Sequence, residues 1–210
     1  MTLAYNNPND IRKKAFHLFH KGLNKELLTE ASKELIEENG TAAFSMRALA
    51  EKLGVKTASL YAHIESMDAL FTAVGLSALN DQKAAQLAAI EGKDGDAAVF
   101  ALADSYRVFA RAHAALYQLI MQMPMGKDET LRAAAAMTAE PSMQVLRGYS
   151  IGEERWMHWQ RVLRGVMHGF VSQEASGYFS HYPVDLTESY RLAIQCVIDG
   201  LHKEAAQNER

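Results

Sequence analysis

The chain has 210 residues, nearly half of them hydrophobic, with four prolines and a formal net charge of −3. That is enough apolar material for one large or two small domains, and it excludes a uniformly basic nucleic-acid binder. A single cysteine, Cys196, excludes an internal disulfide and points to a reducing cytoplasm. Its expected role is that of a small packed hydrophobe. No stretch approaches the roughly 18–20 uncharged apolar residues of a membrane span, and the first residues lack the apolar core of a signal peptide. Abundant Ala, Leu, Met, Glu and Lys predict an all-α protein.

Residues 1–22 form a basic extension, with Arg12, Lys13, Lys14 and Lys21, and Lys25 just behind. A short helix is expected over 10–21, ended by Gly22. Leu27, Leu28, Ala31, Leu35 and Ile36 then share one helical face, and Asn39-Gly40 stops that helix. Ser45 is placed to cap a helix through Leu53, which Gly54 ends. A very short helix follows from Lys56 or Thr57 to about His63. Ser66 caps the next, which carries Leu70, Phe71 and Val74. Longer helices are expected over 96–112, 114–123 and 128–147. The pairs Ser150/Glu153 and Asp185/Glu188 read as capping boxes that open helices to about Ser176 and Lys203. No segment alternates as a strand would.

The stretch from Ser45 to His63 carries the chemistry. Ala50 leaves room for a second helix to cross the first. Gly54 tolerates the left-handed backbone of a tight turn, and Leu60, six residues on, anchors the second helix. Leu49, Leu53 and Val55 complete the core. This leaves Arg47, Lys56, Thr57, Ala58, Ser59, Tyr61 and His63 facing outward. They are small, polar or basic, as a helix entering a DNA major groove requires. Residues 27–74, with Leu60-Tyr61-Ala62-His63 closing the pair, resemble the N-terminal domain of the TetR family of transcriptional regulators. The resemblance implies that Tyr61 and His63 touch phosphates, that Lys56 to Ser59 face bases or backbone, and that Arg47 reaches DNA. It implies a helix-turn-helix domain over 23–75 and a ligand-binding and dimerisation domain over 76–210. Two departures stand out. Met67 occupies a position where the family usually carries a phosphate-binding lysine, and Ile64-Glu65 replaces an aromatic and a small or basic residue.

Met167 to Glu174, followed by Gly177-Tyr178-Phe179, resembles a C-terminal subtype with an HG pair, here His168-Gly169. Trp159, Leu163, Val166 and Phe170 step at helical spacing, as do Tyr190, Ile194, Val197 and Leu201. These seams are assigned to a homodimer interface, the competing reading being the subunit's own core. Tyr106, Phe109, His113, Tyr117, Met121, Met137 and Trp156 are candidates for an effector cavity. Without an obvious charged trap, the expected effector is a small apolar or aromatic molecule. The function implied is a DNA-binding regulator, a repressor released from a palindromic operator. The alternative is a small helical ligand-binding or metal-binding protein or enzyme without DNA function. Against it, no phosphate loop, nucleophile elbow or metal-spaced His/Cys set occurs, so neither a catalytic residue nor a cofactor is assigned.

Overall fold

The computed structural model describes residues 22–126 and 129–208. The helix expected over 10–21, and with it most of the basic extension, lies outside them. The described residues are helical, without strands, and fall into two compact units. One comprises those up to Ala78 with Gln118–Met123; the other comprises Leu79–Tyr117 and those from Pro124 onward.

In the first unit, α1 (Lys25–Asn39) starts at Asn24, whose side chain accepts from the Leu27 N–H at 2.8 Å. It ends at Gly40, with φ 77°. Leu28 and Ile36 are fully buried along one face. A 3₁₀ turn (Thr41–Ala43) leads to Phe44, which packs on Phe71 at 5.3 Å between ring centroids. Then come α2 (Met46–Leu53), α3 (Thr57–Leu60) and α4 (Met67–Ile90). Met67 starts α4 behind Ser66, whose hydroxyl accepts from the Ala69 N–H. A Cβ on Gly75 would overlap the Met123 sulfur, so glycine permits the close approach of α6 (Ala114–Gln122) and the residue after it. Burying Leu28, Leu49, Leu60 and Leu70 contributes about 1.5–3 kcal/mol each.

The second unit holds the remainder of α4 and α6, with α5 (Gly95–Ala112), α7 (Glu129–Met137), α8 (Glu140–Leu146), α9 (Glu153–Ala175) and α10 (Leu186–Asn208). Helix α9 packs against α5, α8 and α10, and α5 also touches α8 and α10. Buried Arg107 of α5 ties α9 and α10 to its own helix. It donates to both Glu174 carboxylate oxygens at 2.8 and 2.9 Å and to the Thr187 hydroxyl at 3.3 Å. Its guanidinium lies over the Phe170 and Tyr190 rings. The Tyr190 hydroxyl in turn donates to the Ala103 carbonyl at 2.7 Å.

Several expectations need correction. The helix expected over 128–147 is two helices, because Pro141 has no N–H to continue the ladder and its ring crowds the preceding turn. The break falls at Thr138-Ala139. Ser150 caps nothing: the residue before α9 is Gly152, without a side-chain capping bond. The Asp185 carboxylate does cap α10, accepting from the Thr187 N–H at 2.7 Å.

The expected dimer seam is also revised. Leu163, Tyr190, Ile194, Val197 and Leu201 are buried within their own subunit. Phe170 packs on Phe179 and Tyr190, Val166 is half-buried, and the Trp159 indole donates to Glu204. The apolar residues left exposed on α9 and α10 are instead Met157, Val162 and Leu192. Cys196, expected to be packed, is exposed one turn after Leu192.

Candidate functional site: recognition surface and inner cavity

The turn between α2 and α3 is built from local backbone signals. Ser45 caps α2, accepting from the Ala48 N–H at 3.1 Å. Gly54 adopts a left-handed conformation, φ 67° and ψ 29°. There its N–H reaches the Glu51 carbonyl and the Val55 N–H reaches the Ala50 carbonyl, at 3.2 and 3.0 Å. This pair of bonds satisfies carbonyls that a helix end leaves open. The chain then re-enters a helix at Thr57.

Leu60 is fully buried and Ile64 nearly so, with the Ile64 N–H bonded to the Leu60 carbonyl. Ile64 therefore works as a second apolar anchor where the family pattern has an aromatic ring. Around these anchors Arg47, Lys56, Ala58, Tyr61 and His63 are exposed, and Thr57 and Ser59 are half-exposed. All seven residues chosen from sequence remain accessible on the α2–α3 pair. Regular helix ends at Leu60, and Tyr61 to His63 continue as turns.

Two charge arrangements were not apparent from sequence. Arg47 is paired with Glu51 one turn on at 2.9 Å, and that hydrogen bond and charge raise its pKa. Contact with a phosphate would require exchanging one anion for another. Lys52 clamps α2 to α1 through Glu34 at 3.0 Å and Glu38 at 3.3 Å. Burial works against its ammonium, but the two carboxylates outweigh it and raise its pKa. Acids on α1 that look like a solvated face thus position the helix before the recognition segment.

The second unit contains a narrow cavity lined by Leu79, Gln82, Lys83, Gln86, Tyr106, Thr138, Ser142, Arg164 and Met167. Its free volume is about 10 Å³, roughly the room of one water. The lining is largely polar, contrary to the apolar pocket expected from sequence. Lys83 is neutralised by Glu140 at 2.5 Å. Arg164 donates to the Thr138 hydroxyl at 3.2 Å and has no carboxylate partner among the described residues. Gln82, 4% exposed, has a buried amide nitrogen with no acceptor.

Of the seven residues proposed from sequence, Tyr106 lines this cavity. Tyr117 stands behind it. The two hydroxyls are 2.8 Å apart, and Tyr117 continues to His168 Nδ1 at 2.6 Å. Burial, more than the nearby Arg164 charge, lowers the His168 pKa, and burial raises those of both tyrosines. Phe109 is buried against His113, with 4.8 Å between ring centroids. Met121 belongs to the first unit, and Met137 is about half exposed. Trp156 lies under the Arg147 guanidinium. These five do not line the cavity. The missed residues Gln82 and Gln86 lie one turn apart on α4, and that spacing was the available signal.

Among the described residues no three His, Cys, Asp or Glu side chains could share a metal ion, and no helix is long and apolar enough to cross a membrane.

Residues 28–74 match the family described as "Bacterial regulatory proteins, tetR family". Residues 99–197 match "Tetracyclin repressor-like, C-terminal domain". The chain is 29% identical over 164 residues to an uncharacterized HTH-type transcriptional regulator of Mycobacterium tuberculosis, Rv0681, covering 78% of this chain and 75% of that one. Its fold is similar to that of a protein with unknown function from Rhodococcus sp. RHA1, with a TM-score of 0.73, 24% identity, and coverage of 86% of this chain and 96% of that chain. It is also similar to the TetR family protein ActR of Streptomyces coelicolor in complex with actinorhodin, with a TM-score of 0.64, 19% identity, and coverage of 88% and 99%. At these identities the structural likeness concerns the fold.

Proposed function

The chain belongs to the TetR family of bacterial regulatory proteins, and from that premise we propose that it is a cytoplasmic homodimeric repressor, released from a palindromic operator by a small molecule. The observation that carries this reading is the recognition surface. Seven outward residues, none of them buried, surround a fully buried Leu60. Tyr61 and His63 take phosphates, Lys56 to Ser59 approach base edges, and Arg47 trades Glu51 for the DNA backbone.

Two copies are needed because one short helix reads too few base pairs for specificity. The outward face of α9 and α10 suits a second copy. Val162, Leu192 and Cys196 are exposed there, and a Cβ on Gly165 or Gly169 would meet only open space, so another backbone can approach closely. Release is a population shift. An effector that draws on Gln82 and Gln86 acts on α4, the helix that also carries Leu70 and Val74 of the first unit's core.

Met67 cannot neutralise a phosphate. The basic residues Arg12, Lys13, Lys14, Lys21 and Lys25 are proposed to supply that charge, as arms do in other helix-turn-helix proteins.

Selection of bound DNA from a random pool, followed by footprinting upstream of the protein's own gene, tests the reading. It should return a sequence with dyad symmetry and half-sites about one helical turn, or a small multiple, apart. Enrichment of sequences without a dyad, or a monomer at binding concentrations, contradicts it.

A further inference from the structure

We infer that the inner cavity takes a small organic carboxylate, its anionic head held by Arg164 and Gln82 and its apolar body against Leu79 and Met167. This rests on the reading above, that the second unit senses an effector, and adds the chemical class.

The cavity lining holds two cations and no acid of its own. Lys83 is matched by Glu140. Arg164 is bonded only to a neutral hydroxyl, that of Thr138. The Tyr106 and Tyr117 hydroxyls and His168 beyond them are neutral near pH 7, and each feels the Arg164 charge. The site therefore carries one uncompensated positive charge. A partly buried cation without a counterion is costly unless something brings the opposite charge.

A second, independent observation points the same way. The Gln82 amide nitrogen is buried without an acceptor on the same lining. Buried donors in folded proteins are nearly always satisfied, so this one is expected to meet an acceptor that arrives from outside. A carboxylate has two oxygens and only acceptor sites. One oxygen can take the guanidinium fork and the other the Gln82 amide, with the Ser142 and Tyr106 hydroxyls nearby on the wall. Leu79 and Met167, both buried, offer the apolar contact.

The present space of about 10 Å³ does not hold such a molecule. Room comes where the wall is weakest. Thr138 lies in the break between α7 and α8, and of the α7 residues Leu131 alone is buried. Opening there frees Arg164 from the Thr138 hydroxyl and leaves the rest of the lining in place.

The test uses the full-length protein and two matched pairs of probes, benzoate with benzamide and octanoate with octanamide, by calorimetry and thermal shift at constant ionic strength. At least one acid should bind about tenfold or more tightly than its amide. Arg164→Gln should remove that preference, and Arg164→Lys, which keeps the charge, should retain part of it. Gln82→Leu should raise the Tm of the ligand-free protein, because it removes an unsatisfied donor, while weakening the acid. A purely structural glutamine would not produce that opposition.

Equal binding of acid and amide overturns the inference. So does unchanged acid affinity in Arg164→Gln, an equal effect of chloride alone, or no binding by either acid at millimolar concentration. Operator affinity is read separately. An acid that binds with the stated selectivity yet leaves operator binding unchanged overturns the regulatory reading and leaves the ligand class standing.

Discussion

The two units put their functional residues in opposite places. In the helix-turn-helix unit the residues proposed to act are exposed, and the residues that hold the fold, Leu49, Leu60 and Leu70, are fully buried. Fold and function are carried by different side chains there. In the second unit the cavity is lined by buried Gln82, Gln86, Ser142 and Tyr106, so the same side chains serve the core and the proposed ligand site. A surface that reads DNA must be accessible and can tolerate substitution. A site that senses a ligand by opening is tied to packing, and substitutions there change stability and response together.

That contrast can be broken by mutation. The largest effect is expected inside the second unit at Arg107. Arg107→Ala leaves Glu174 without its partner, and breaking such a pair costs about 3–5 kcal/mol. Chemical denaturation should show it, and a loss below about 1 kcal/mol would mean that solvent substitutes for the arginine. Leu60→Ala comes next, at about 2–5 kcal/mol for a fully buried leucine. It should remove operator binding by loosening the recognition segment.

Tyr61→Ala is the counterpart that sharpens the comparison. Tyr61 is 54% exposed, so its loss should shift stability by no more than about 0.5 kcal/mol. It should still weaken operator binding by about tenfold, the effect of losing one good hydrogen bond. If Tyr61→Ala destabilises as much as Leu60→Ala, the separation of fold from function in this unit is wrong.

Met67→Lys should steepen the salt dependence of DNA binding by roughly 0.9 per phosphate gained in each subunit. Deleting residues 1–22 should flatten it without changing the preferred sequence, and an unchanged slope after deletion removes the basic extension from the account.

The smallest effect concerns pH. Burial holds the His168 pKa below its ordinary value, so the unfolded chain binds this proton more readily than the folded one. Stability from this group is full above about pH 6.5 and is lost as pH falls through the lower folded value. Denaturation midpoints should decline over that acid range, and His168→Gln should reduce the decline.

How much was legible in the sequence follows the same division. The helix-turn-helix could be read because its determinants are local. Gly54 sets the left-handed turn, Ser45 and Ser66 cap, and Leu60 anchors, all within about 20 residues. What escaped there was the long-range clamp of Lys52 to Glu34 and Glu38, which links separate helices. In the second unit periodicity found the helices but not their partners. On α10 the stripe through Ile194, Val197 and Leu201 and the exposed Leu192 are both apolar, and only packing against α5 and α9 tells core from outward face. Pro141 is itself a local break signal, and it marks where the stretch over 128–147 divides into two helices. The polar cavity was hidden for a related reason. Aromatic and Met residues draw attention as pocket formers, whereas a buried Gln82 or a half-buried Arg164 becomes notable only once its neighbours are known.

The central claim is that occupancy of the inner cavity controls DNA binding. Its most direct measurement is the operator-binding isotherm of the full-length protein with and without a saturating compound chosen because it raises the Tm. The account predicts that operator affinity falls by about tenfold or more, corresponding to a coupling of about 1.4 kcal/mol or greater. An isotherm that stays the same when the cavity is filled would contradict it.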